Sequence, residues 1–189
     1  MIIQDFDFKR EYEIARRRAT EMVGNDLYSR FGLSKEKRIE KALLGCLGEL
    51  AFERLLVSKN LPYIVDRENY VDRNSDEFDF LMNGKKVDIK VAKKTTLNPP
   101  GDNWTYGYPK EQHPLQKDFV VVGWIDFTNE SVGIYGWTTG IAIEKNAVVN
   151  FNSFKGYKYL TPNHEFKWGA LNKNFDALFD KIFFPKCEP

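Results

Sequence analysis

An α/β fold is what this sequence predicts, and three stretches predict it. An apolar helical segment runs from Ser34 to about Ser58. An Asn83-Gly84 turn sits between two short alternating runs. Two further strand-like runs follow, at Phe119 to Phe127 and Val132 to Trp137. The chain has 189 residues, 42% hydrophobic and 15% aromatic, which suffices for a single folded domain with a substantial core.

The elements follow in order. Lys9 to Val23, rich in Glu and Arg, reads as an amphipathic helix ended by Gly24-Asn25. Its Arg16, Arg17 and Arg18 cannot share one direction on a helix, and charge pattern favours a solvated face over a phosphate clamp. Ser34 caps the second helix. There Ile39, Leu43, Cys46, Leu50 and Val57 form a continuous apolar stripe that Leu44, Ala51 and Leu55 widen, so this helix is expected at the centre. Gly45 and Gly48 each cost about 1 kcal/mol against Ala in a helix, tolerable where a sheet must come close. Glu49 stands among these small and apolar neighbours, and taken alone it reads as a partly exposed helix glutamate.

Leu61 to Val65 suggests a first strand, and the Asn83-Gly84 hairpin supplies two more. The stretch from Thr95 to Lys117 is broken by prolines yet carries Trp104, Tyr106 and Tyr108. These aromatics suit either stacking on unpaired bases or the core of an ordered loop, with the balance slightly toward the loop core. Two strands then turn at Thr128 to Ser131, a short helix follows from Thr139, and Phe175, Leu178, Phe179 and Ile182 give Asn172 to Phe184 the spacing of a closing helix.

Composition excludes several functions. With 28 Lys and Arg against 27 Asp and Glu, the net charge is +1, so any nucleic-acid surface must be local. Cys46 and Cys187 are distant and lack metal-ligand spacing, which argues against a disulfide framework or a zinc site. His113 and His164 have no second histidine nearby, and no Gly-rich phosphate loop is present. No apolar run reaches membrane-spanning length, and the N-terminus lacks the pattern of a secretion signal; a reduced, cytoplasmic protein without a membrane partner is the expectation.

The chemistry concentrates in the hairpin from Glu77 to Lys90. A type I′ turn at Asn83-Gly84 places Met82 opposite Lys85, Phe80 opposite Val87 and Asp79 opposite Asp88. Alternation puts Phe78, Phe80, Val87 and Ile89 on one face and Glu77, Asp79, Asp88 and Lys90 on the other. Like charges directly opposite cost roughly 0.2–1 kcal/mol. A hard divalent cation between the two carboxylates would offset that cost, since Mg²⁺ takes oxygen ligands and usually one or two protein carboxylates. The competing reading is a surface ion pair between Glu77 and Lys90 that does no chemistry.

With Glu49 on the preceding helix, Asp79 on one strand and Asp88-Ile89-Lys90 on the next, the sequence resembles the PD-(D/E)xK nuclease superfamily over roughly residues 38 to 138. The resemblance implies a restriction-endonuclease-like core of order αβββαβ, a central mixed sheet flanked by helices. It also implies Mg²⁺, or Mn²⁺ in its place, held by Asp79, Asp88, the Ile89 carbonyl and Glu49, with Lys90 as the catalytic lysine. DNA is the implied partner and phosphodiester hydrolysis the implied reaction; a double-strand cutter would work as a homodimer. Ser75-Asp76 stands where the motif's proline belongs, and Asp76 and Glu77 compete with Asp79 for the first-acid role, which cross-strand position assigns to Asp79. Lys85, Lys86, Lys93 and Lys94 suit either a phosphate backbone or a solvated surface. A non-catalytic nucleic-acid-binding or assembly module with the same fold, and an RNA-directed nuclease, are the rival readings.

Overall fold

The computed structural model describes residues 1–65 and 78–184. Asp76, Glu77 and Cys187 lie outside those residues. Helix α1 (Phe8–Gly24) starts at Asp7, whose carboxylate accepts from the Arg10 amide. Helix α2 (Lys35–Ser58) starts at Ser34, whose hydroxyl accepts from the Lys37 amide. Both caps satisfy backbone donors that a first helical turn leaves free.

The central sheet has five strands in the order β1-β2-β3-β5-β6: β1 (Ile64–Val65), β2 (Phe80–Met82), β3 (Lys85–Lys93), β5 (Phe119–Asp126) and β6 (Ser131–Thr139). Only the β3/β5 pair is parallel, so the sheet is mixed. The hairpin register is the one expected, Phe80 opposite Val87 and Met82 opposite Lys85. Asn83 (φ 46°) and Gly84 (φ 75°) both adopt the left-handed backbone that its turn requires.

Parallel strands need a crossover. The αβββαβ order would carry a helix between β3 and β5. Instead the chain forms β4 (Thr105–Pro109) and two single 3₁₀ turns there. Pro99, Pro100, Pro109 and Pro114 deny this stretch an uninterrupted run of helical N–H donors. Strand β4 joins a second, three-stranded sheet with β7 (Val148–Phe151) and β8 (Lys158–Lys167), in the order β4-β8-β7. That sheet was not expected from the sequence.

The central sheet is covered on both faces, and its strands sort their side chains accordingly. Phe80, Val87, Ile89, Val121 and Ile125 pack with α2, α1 and α4 (Phe175–Phe183) in the larger core. Val120 and Val122 face the other way and pack with Tyr108, Phe166 and Trp168, together with Ile143 of the short helix α3 (Gly140–Glu144). Helix α2 is central as expected, but Val57 at the end of its stripe is 56% exposed because the helix outruns the sheet. Ala15 and Ala19 let α1 approach α2 closely, and Glu11 with Arg54 and Arg18 with Glu49 link the two helices by ion pairs.

Gly48 meets the sheet: a Cβ there would lie 2.6 Å from Val91 Cγ1 and 3.4 Å from Ile89 Cγ2. Gly45 does not, since a Cβ there would meet nothing within 4 Å. Opposite outcomes follow for one chemical change. Gly48→Ala forces stiff, β-branched Val91 aside and is expected to destabilise by about 1–3 kcal/mol, less the gain in helix propensity. Gly45→Ala keeps only that gain and is expected to stabilise by about 0.5–1 kcal/mol. Urea denaturation midpoints of the two variants measure both.

Candidate active site

Strand β2 begins only at Phe80, while its antiparallel partner β3 runs on past Val87 to Lys93. Beyond Val87, β3 therefore has no strand partner on that side among the described residues. The backbone group exposed by this gap is satisfied by a side chain: the Ile89 N–H donates to Asp79 Oδ2 at 2.6 Å. A carboxylate takes the place of a strand carbonyl and is thereby held at the level of Asp88.

Asp88 is 4% exposed and projects to the face shared with Val120, its parallel partner, away from α2. Lys90, two residues on, returns its Nζ to 2.6 Å from Asp88 Oδ2. The contact is an ion pair without hydrogen-bond alignment, and that buried oxygen has no aligned donor. The ammonium lies 5.5 Å from the centre of the fully buried Tyr108 ring. Asp79, Asp88 and Lys90 are thus brought together as expected, and Ile89 enters through its amide.

Glu49 reaches toward the same gap from the helix side, close enough for its charge to act on Asp79. Its Oε2 accepts from Arg18 Nη2 at 3.0 Å, with both side chains largely buried. Arg18 therefore does not belong to a solvated face, contrary to the expectation for the arginine run. Tyr28, in a left-handed conformation (φ 61°) between α1 and α2, lies within the fields of Lys90, Asp79 and Glu49. Its loop is tied across the molecule by an ion pair between Arg30 and Glu111, in the turn after β4. Lys117, just before β5, is 7% exposed and feels the charges of Asp88 and Lys90. Arg18, Tyr28 and Lys117 were missed in the sequence; only Arg18 left a signal there, its spacing from buried Glu11 and Ala15 at i+7 and i+3.

Electrostatics follow from burial and crowding. Desolvation, then the Asp88 charge, then that of Glu49 push the Asp79 carboxyl well above its ordinary value, against the Lys90 charge and the Ile89 hydrogen bond. Burial alone would lower Lys90, but Asp88, Tyr108 and Asp79 outweigh it, and its pKa stands well above that of a free lysine. Lys90 is therefore a cation at neutral pH. Desolvation raises the phenols of Tyr106 and Tyr108 and lowers Lys117.

The other lysines near the motif are occupied. Lys85 pairs with Asp118 at 3.2 Å, Lys93 with Glu40 at 2.9 Å and Lys94 with Asp126 at 2.6 Å. The last pair is nearly buried, and with Asn129 it holds the Asp126 carboxyl down to about 2. Trp104, Tyr106 and Tyr108 pack in the second core, Trp104 with its ring centre 5.2 Å from that of Trp168.

Among the described residues, no three His, Cys, Asp or Glu side chains stand together as a ready metal-binding group. Mg²⁺ makes a smaller demand, since it commonly takes one or two protein carboxylates and fills its remaining positions with water. Two observations fit a cation between Asp79 and Asp88: the unaligned buried oxygen of Asp88 and the raised carboxyl of Asp79. No helix among the described residues is long and apolar enough to cross a membrane. Comparison with known proteins finds no matching family model, no matching curated protein and no matching solved structure.

The raised Asp79 carboxyl has a sign that can be tested. The folded chain binds this proton more tightly than the unfolded chain, so the group's contribution favours folding at low pH. That contribution is lost as pH rises from the ordinary value of 3.8 through the folded value. At neutral pH, above the ordinary value, the Asp79 carboxyl is therefore a cost to folding. Asp79→Asn keeps an oxygen for the Ile89 amide and removes the charge. In EDTA at neutral pH its Tm is expected to exceed that of the parent, by about 2–4 °C for each kcal/mol of repulsion relieved. The gap should close as pH falls toward 3.8; a variant less stable than the parent at neutral pH would refute the assignment.

Proposed function

We propose that this chain is a metal-dependent nuclease on a restriction-endonuclease-like core, hydrolysing phosphodiester bonds in DNA in the cytoplasm. The observation that carries the reading is Asp79 and Asp88 brought to one level of β3, with Lys90 Nζ 2.6 Å from Asp88, at a gap in the sheet edge. Two carboxylates drawn together, one of them at 4% exposure, carry a cost that a cation between them would offset.

Asp79 and Asp88 would hold Mg²⁺ or Mn²⁺, with the Ile89 carbonyl as a further oxygen and Glu49 once it parts from Arg18. Bound there, the metal supplies a water of lowered pKa and positive charge facing the phosphate. Lys90, kept protonated by its carboxylate neighbours, serves as a fixed cation for the charge that grows on the phosphate oxygens. It is unsuited to the part of general base in this state. Arg18 and Lys117 add positive charge around the same point, and Tyr108 keeps one side of the lysine dry.

The Arg18–Glu49 pair favours a second reading, since an arginine already neutralises the helix carboxylate. On that reading the chain is a non-catalytic nucleic-acid-binding module. One experiment separates the two. Supercoiled plasmid, single-stranded DNA and RNA are incubated with the protein in Mg²⁺ or Mn²⁺, beside Asp88→Ala. The nuclease reading predicts cleavage that EDTA abolishes and the variant lowers by about 100-fold or more. Nucleic-acid binding without turnover in either metal would establish the module instead.

A further inference from the structure

Between Lys145 and His164 the chain carries three lysines and no acidic residue, although acids and bases nearly balance over the whole sequence. This segment forms strand β7, the first part of β8 and the turn between them. It also exposes large aromatic surfaces: Phe151 is 56% exposed, Phe154 61% and Tyr157 53%. Lys155 and Lys158 alternate with them along the chain, and Lys158 lies directly across the ladder from Phe151. Exposed aromatics at the turn of one hairpin, interleaved with cations, are unfavourable in water without a partner.

The hairpin is rigidly built and lies beside the site. Glu165 accepts from Tyr159 at 2.6 Å, from Asn152 at 3.0 Å and from the Ser153 amide at 3.1 Å, which fixes the turn from beneath. The Tyr159 ring covers Gly107 of β4, where an added Cβ would fall 2.6 Å from it. Tyr157 packs edge-on against Tyr159, ring centres 5.3 Å apart. Tyr106, next to Gly107, lies within the electrostatic reach of Lys90 and Asp88 and also of Tyr157. Lys155 Nζ donates to Thr95 Oγ1 at 3.2 Å, which ties the turn to the segment just after β3.

We propose that the β7–β8 hairpin is a stacking platform for single-stranded nucleic acid, which Phe154 and Tyr157 hold by its bases and Lys155 and Lys158 by its phosphates. Every base has a face to stack and every linkage a charge, so such a surface accepts any sequence. A duplex hides its base faces and gains only the phosphate contacts. The proposal rests on the nuclease reading for what the strand is led to, namely the Asp79/Asp88/Lys90 site.

The test separates binding from cleavage. Asp88→Ala protein in EDTA is titrated with labelled oligothymidylate, oligouridylate and a blunt duplex, so its outcome does not depend on whether the site is catalytic. Either single strand is expected to bind more tightly than the duplex, and the tighter of the two names the source. Adding Phe154→Ala with Tyr157→Ala should weaken single-strand binding by about tenfold or more at unchanged Tm. Adding Lys155→Gln with Lys158→Gln should reduce the slope of log affinity against log salt by about 1.4, ~0.7 for each phosphate contact. Equal binding by the aromatic variant and its parent overturns the proposal. So does a duplex held as tightly as the strands, or a dimer in sedimentation that only the aromatic variant dissolves, which would make the hairpin a contact between copies.

Discussion

Asp79 accepts the Ile89 amide proton because β2 begins only at Phe80, too late for its backbone to do so. The rest of the site depends on that substitution of a side chain for a strand. It holds one carboxylate against β3 at Ile89, whose neighbour Asp88 is another carboxylate, in a place already poor in water. Two negative charges so placed need a positive one. Lys90 provides part of it, and in doing so acquires a pKa high enough to keep it charged throughout the physiological range.

The helices and the second sheet then serve this gap from opposite sides. Gly48 lets α2 lie directly on Val91 and Ile89, which brings the next residue, Glu49, to the sheet's open edge. Arg18 neutralises Glu49 from α1, and Tyr28 lies within the fields of Glu49, Asp79 and Lys90. On the far face, β4 takes the position that a crossover helix would have filled. Its Tyr108 gives Lys90 an aromatic floor instead of water. The stability of the fold and the charge state of the site are therefore settled by the same contacts, as expected where a site departs from what stability alone would favour.

Much of this was legible in the sequence because its signals are local. Asn83-Gly84 dictated a tight turn, and the turn dictated the register from Met82 opposite Lys85 to Phe80 opposite Val87; Asp79 lies just outside that ladder, held by its side chain on the Ile89 amide. Ser34 and Thr139 marked helix starts through side chains that bond within three residues. What escaped depends on distant partners. Arg18 looks like one of three surface arginines until Glu11, Ala15 and Ala19 show which face of α1 meets α2. The second sheet escaped because β8 contains Pro162 among polar residues, and β7 is short, exposed and irregular in register. Its strands do not alternate cleanly between apolar and polar, so period alone could not find them. Gly45 and Gly48 looked equivalent, and only packing against Val91 separates them.

On the proposed reading, the Asp79/Asp88 pair holds a divalent cation. Anomalous diffraction from crystals soaked in Mn²⁺ tests it most directly, because the signal marks the ion independently of any activity. A single strong peak is expected between the carboxylates of Asp79 and Asp88, absent from Asp79→Asn crystals. A pair that stays without Mn²⁺, its Lys90–Asp88 contact unchanged, would contradict it.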